Sequence, residues 1–125
     1  MRPTGDVDPA AQHLAQRIGG QPSLCLEGFD NREFDAVSDT IIAQTTSAHS
    51  AVTRPKNFLN RSRRRQIKAT LRAAQVTGRT ALFEFTGGAP AQEVRDYIIR
   101  NAAQIGLSSS DVIIEVITSE GMSHV

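Results

Sequence analysis

The chain has 125 residues, of which 39% are hydrophobic and 22% charged, and a formal net charge of +1 at pH 7. That is enough chain to bury one core, too ordinary a composition for wholesale disorder, and too polar for a membrane span. The lone Cys25 has no partner within the chain, so no disulfide framework is expected, and the N-terminus lacks the basic-then-apolar layout of a signal peptide.

The small net charge hides an asymmetry. Arg61, Arg63, Arg64, Arg65, Lys68, Arg72 and Arg79 are seven of the 14 bases, and no Asp or Glu lies among them. Acids outnumber bases on either side of this stretch. A polyanion would dock on such an element, although a solvated helix face has the same composition.

In chain order, residues 1–7 read as a disordered lead-in, 8–118 as a single folded domain and 119–125 as a flexible tail. Asp8-Pro9 supplies a cap followed by proline at the first helical position, Leu14 and Ile18 repeat at i, i+4, and Gly19-Gly20 ends the helix. Residues 23–28 read as a strand, and Phe29-Asp30-Asn31 as a turn. A hairpin follows over 32–48, closing on Ser38-Asp39. Residues 47–61 read as a long loop, more functional or mobile than decorative. Ser62 is the expected cap of a helix running to Thr77, with Gly78 as its stop. Its buried stripe is Ile67, Leu71 and Ala74; Arg64, Lys68 and Arg72 stack on another face, where like charges repel. Residues 80–86 are a strand, Gly87-Gly88-Ala89-Pro90 a turn, and Val94, Tyr97, Ile98, Ala102 and Ile105 keep helical period up to Gly106. The last strand, 111–118, is apolar enough to be central or covered on both sides. The order α-β-β-β-α-β-α-β makes an α/β domain, a mixed sheet with helices packed on it.

The hairpin carries the chemistry. Closed on Ser38-Asp39, it places Val37 opposite Thr40, Asp35 opposite Ile42 and Glu33 opposite Gln44. Glu33, Asp35, Gln44 and Thr46 then share one face, while Phe34, Ala36, Ile41 and Ala43 bury on the other. A polar row with two carboxylates points to a site; solvated strand residues are the alternative reading.

A helix, then a three-stranded meander with D…(E/Q)-x-(K/T), then a helix and a strand resembles the PD-(D/E)XK, restriction-endonuclease-like core. FDAVSDTIIAQTTS, RRRQIKATLRAAQVTGR and FEFTGGAPAQEV are similar to nuclease toxin domains at the C-termini of bacterial contact-dependent growth inhibition and polymorphic toxin proteins. The resemblance covers about residues 10–118 and implies a nuclease toxin domain over 8–118. Some members of that group are transfer-RNA nucleases held inactive by a cognate immunity protein.

Carried over by residue, Asp35 matches the metal-binding Asp, Gln44 takes the place of the second acid, and Thr46 stands where the family has Lys. Lys68, on the adjoining helix, is the candidate replacement for that Lys, and Lys56 is a weaker one. Neutral Gln44 leaves Glu33 or Asp39 to supplement the metal site. The implied cofactor is a divalent metal, Mg²⁺ in the first instance, which activates water and offsets charge on the phosphate. The implied partners are RNA, transfer RNA above all, and an immunity protein, with no membrane. Arg61, Arg63, Arg64, Arg65, Lys68 and Arg72 would hold the nucleic acid. The implied setting is release from a larger secreted or cell-surface protein and action in the cytoplasm of a target bacterium. A DNase of the same fold, a binding module that has lost catalysis, and a protein-interaction domain are the competing readings.

Overall fold

The structure is a computed structural model and describes residues 2–3, 9–25 and 33–117. Within them lie β1 (Arg2–Pro3), α1 (Pro9–Ile18), β2 (Gln21–Cys25), β3 (Glu33–Val37), β4 (Ile41–Ser47), α2 (His49–Thr53), α3 (Pro55–Phe58), α4 (Arg61–Thr77), β5 (Thr80–Thr86), α5 (Gln92–Gln104) and β6 (Val112–Ile117). The expected α-β-β-β-α-β-α-β order is there, with α2 and α3 added ahead of the basic helix and the two-residue β1 at the sheet edge. The turn at 29–31, the second half of the strand expected at 23–28, and the tail at 119–125 lie outside the described residues, as does the lead-in apart from Arg2–Pro3.

The strands lie side by side in chain order. β1 to β4 pair antiparallel; β4, β5 and β6 pair parallel. Parallel neighbours need a crossover, and α4 and α5 supply the two crossovers. These helices bury Ile67, Leu71, Val94 and Ile98 against Ile42, Phe83 and Phe85 on one face of the sheet. On the other face, Leu14 and Ala15 of α1 meet Ala36, Ala43 and Leu82. β5 is covered from both sides, which is why Ala81 to Phe85 is a continuous buried run.

Four local expectations are corrected. The cap of α4 is Asn60 rather than Ser62: Asn60 has extended backbone, and its Oδ1 accepts the Arg63 N–H at 2.9 Å. The stretch 47–61 is not an open loop. Pro55 opens α3 at its first position, and the two short helices bury Ala51 and Phe58. β6 is an edge strand, not a central one. α1 lies over β2, β3 and β4 and leaves Ile113 40% exposed on its face, while Val116, on the face of Phe85, is 37% exposed at the sheet edge.

The hairpin closes one residue later than expected. Ser38 N–H donates to the Ile41 carbonyl at 2.8 Å, Val37 pairs with Ile42 and Ala36 with Ala43, so Asp39-Thr40 is the turn. The Ser38 hydroxyl also accepts the Ile41 N–H at 3.0 Å, a side-chain turn that fixes this choice. Each residue's partner moves by two positions, which by itself leaves the faces unchanged. Ala36, Ile41 and Ala43 pack under α1 as expected, whereas Phe34 joins the cluster of Val37 and Ile42 instead.

Gly78 closes α4 with φ +69°, accepting the left-handed backbone that a side chain resists. Gly20 is needed for a different reason. Its N–H donates to the Ala15 carbonyl at 2.8 Å, and a Cβ there would lie 2.3 Å from the Val37 carbonyl oxygen. Gly20→Ala should therefore lose about 1–3 kcal/mol in urea unfolding through backbone overpacking. Gln12→Ala, on the exposed side of α1, should change stability by less than about 0.5 kcal/mol.

Candidate active site

The sheet is disturbed on both sides of Asp35. Towards β2, pairing runs through Gln21, Pro22, Leu24 and Cys25 and skips Ser23, the residue across from Asp35 in that register. Ser23 has φ +53°, the one described non-glycine residue in the left-handed region. Such backbone costs about 1–2 kcal/mol and collects at functional sites. Towards β4, pairing stops after Ala36 and Ala43. By the alternation of an antiparallel ladder, Thr45 would next donate to the Phe34 carbonyl. Its N–H goes instead to the Asp35 carboxylate, Oδ2, at 2.8 Å.

Gln44 and Thr46 continue the phase of Ile42, on the face covered by α4. Gln44 is buried, and its amide donates to the Thr70 hydroxyl at 3.2 Å and to the Glu33 carbonyl at 3.5 Å. Its Oε1 accepts from Gln66 at 3.3 Å, and Gln66 in turn accepts from Arg63 Nη1 at 2.9 Å. The guanidinium of Arg63 lies over the Phe58 ring, 4.7 Å from its centroid, and Phe58 packs on Phe85 at 5.9 Å. Gln44, Thr46, Arg63 and Gln66 border a cavity of about 20 Å³ floored by aromatic rings, room for one water molecule. Burial lowers the proton affinity of Arg63, and the nearby negative charge of Asp35 partly restores it.

Gln44 and Thr46 share the lining of this cavity, and Asp35 lies within electrostatic reach of Arg63. Glu33 is exposed at the start of β3, with its backbone carbonyl tied to Gln44. Asp39 is not brought in. It sits in the turn, four residues along the strand from Asp35, beside Gly20 and Arg79. Lys68 is not brought in either. Gln66 and Thr70 are the α4 residues that meet Gln44, and Lys68, about 200° around the helix from each, is exposed on a groove shared with Asn101 and Gln104. Lys56 is exposed on α3. Arg61, Arg64, Arg65 and Arg72 are also exposed, whereas Arg63 is half-buried in the site.

Sequence reasoning missed Gln66, Thr70, Phe58 and the inward turn of Arg63. One signal was available: Arg63, Gln66, Ile67 and Thr70 recur at i, i+3, i+4 and i+7, in phase with the buried stripe.

The opposite face carries a second polar group. Thr45, Glu84 and Glu115 lie abreast on β4, β5 and β6. Arg17 of α1 reaches Glu84 at 2.6 Å and Glu115 at 3.0 Å, and the Thr45 hydroxyl donates to Glu84. Burial alone would lower the proton affinity of Arg17; the bonds and charges of the two glutamates outweigh it and raise it.

Residues 3–108 match the family model described as restriction endonuclease fold toxin 3, and the chain belongs to that family. It is a nuclease toxin domain with a PD-(D/E)XK-like core. No curated protein and no solved structure matches it.

The face held by Arg17 predicts a stability effect. Glu84 is 2% exposed, so Arg17→Met would leave a buried carboxylate with the Thr45 hydroxyl as its remaining side-chain partner. Thermal unfolding should register a loss of about 1–3 kcal/mol. The figure stays below that for a fully buried pair because Arg17 is in part solvated. Arg100→Met, on the exposed side of α5, should shift stability by less than about 0.5 kcal/mol.

Proposed function

We propose that this family member is a metal-dependent ribonuclease that cleaves phosphodiester bonds of RNA, with transfer RNA as its substrate class. The observation that carries the reading is half-buried Arg63, set beside Gln44, Thr46 and Gln66 and within electrostatic reach of Asp35, where β3 and β4 part. The exposed bases of α4 continue from this point, a polycation beside a carboxylate. The similarity of the motifs to nuclease toxin domains, some of which are transfer-RNA nucleases, supports the choice of RNA. In the same reading, the domain is released from a larger secreted or cell-surface protein and acts in the cytoplasm of a target bacterium. An acidic immunity protein covers the basic helix until then.

Among the described residues no three His, Cys, Asp or Glu side chains come together, so there is no all-protein cage. Mg²⁺ commonly takes one or two carboxylates, several waters and a substrate phosphate, and Asp35 with Glu33 beside it suits that kind of site. The Gln44 carbonyl is held by Gln66 and serves the positioning of Arg63 more directly than ligation. When bound, the ion lowers the pKa of a water and offsets charge on phosphate oxygens. The chain's own work is to fix Asp35 through the Thr45 N–H and to present cationic donors along α4.

A second reading, nucleic-acid binding without cleavage, is favoured by one observation: Gln44 is tied to Thr70, Glu33 and Gln66, and Thr46 brings no positive charge. Incubating the domain with total RNA and with plasmid DNA separates the readings. RNA cleavage should appear with Mg²⁺, stop with EDTA, and be absent in Asp35→Ala with the fold preserved by circular dichroism. Cleavage of the plasmid alone would make the domain a DNase. Salt-dependent RNA binding with no cleavage of either nucleic acid would favour the binding module.

A further inference from the structure

Of the bases on α4, Arg63 is the one turned towards the sheet, and its setting differs from that of every exposed neighbour. We propose that Arg63 is a catalytic residue, whose Nε and Nη2 donate to non-bridging oxygens of the scissile phosphodiester and stabilise the charge that develops there. The inference rests on the nuclease reading and adds to it the identity of the cationic group.

Three observations carry it. The guanidinium is fixed before any substrate arrives: Phe58 supports its plane, Gln66 accepts from Nη1, and Gln66 is anchored through Gln44 to Thr70. A donor held this way needs little reorganisation when charge appears. Its remaining edge is available, since neither Nε nor Nη2 donates to any described residue. Those two groups form the side-on fork that matches two phosphate oxygens.

The third observation is that the charge is not cancelled. Asp35 lies near enough to act on Arg63 electrostatically, yet the two make no ion pair, and one Asp35 oxygen is occupied by the Thr45 N–H. Arg17 on the other face shows the alternative, a guanidinium committed to two glutamates. Partial burial of Arg63 weakens screening by water and strengthens its pull on a phosphate.

The test compares wild type, Arg63→Ala, Arg63→Lys and Arg64→Ala on RNA and plasmid DNA with Mg²⁺, after circular dichroism and thermal melting establish the folded fraction of each. Arg63→Ala should lose about 10²-fold or more in rate at saturating substrate while substrate affinity changes little. Arg64→Ala, at an exposed docking position, should mainly raise KM. Arg63→Lys should fall between, because it keeps the charge and loses the fork and the flat stacking surface. Ethylguanidinium added to Arg63→Ala should restore part of the rate, and added to Arg64→Ala should restore none. An Arg63→Ala enzyme with the wild-type saturating rate and only a raised KM overturns the inference and leaves the nuclease reading standing. Where Arg63→Ala is unfolded at assay temperature, a folded Arg63→Lys with the full wild-type rate overturns it equally. A wild-type domain that cleaves neither nucleic acid removes both.

Discussion

A backbone N–H inside a sheet has to be paired, and the pairing of Thr45 decides the shape of this molecule's working end. Its N–H bonds to the Asp35 carboxylate instead of a carbonyl of β3, so the two strands separate just where the polar residues begin. Beside the separation, Gln44 meets α4 through Thr70 and Gln66. On the other side of β3 the ladder yields as well, with Ser23 taking a left-handed backbone across from Asp35. A regular sheet would place Asp35 as one more residue in a ladder. Here the carboxylate is built into the backbone pairing.

From that opening the two faces of the sheet treat charge in opposite ways. Under α1, Arg17 is shared by Glu84 and Glu115, and the Thr45 hydroxyl completes Glu84. The group ties α1 to β5 and β6, and its charges are spent on each other. Under α4, a chain of neutral amides and a hydroxyl runs from Thr70 through Gln44 and Gln66 to Arg63, and the guanidinium at its end is not paired with an acid among the described residues. Thr45 joins the faces, since its backbone holds Asp35 and its side chain holds Glu84. α2 and α3 matter because they place Phe58 beneath Arg63.

Much of this was legible in the sequence, because apolar period and turn chemistry are local. The phase of Ala36, Ile41 and Ala43 survived an error in the turn: moving the loop from Ser38-Asp39 to Asp39-Thr40 shifts every partner by two, and strand faces repeat every two residues. Phe34, past the point where pairing with β4 stops, packs elsewhere. The choice of Lys68 did not follow the helical phase: it lies opposite the stripe containing Gln66 and Thr70, the residues that meet Gln44. What could not be read was tertiary. Nothing in the stretch 47–61 announces that Phe58 will lie under an arginine, and nothing local tells β6 that α1 stops short of it. The bond from Thr45 to Asp35 depends on three strands at once.

The place of the site can be read without relying on turnover. Amide and Arg Nε–H resonances of the ¹⁵N-labelled domain can be followed while RNA is added in EDTA, where metal-dependent cleavage stops. A site at the parting of β3 and β4 requires the largest shifts at the Thr45 amide, the Arg63 Nε–H and the side-chain amides of Gln44 and Gln66. Shifts confined to the exposed bases of α4, or to Arg17 and the face it locks, would place the substrate elsewhere and contradict the assignment of Asp35.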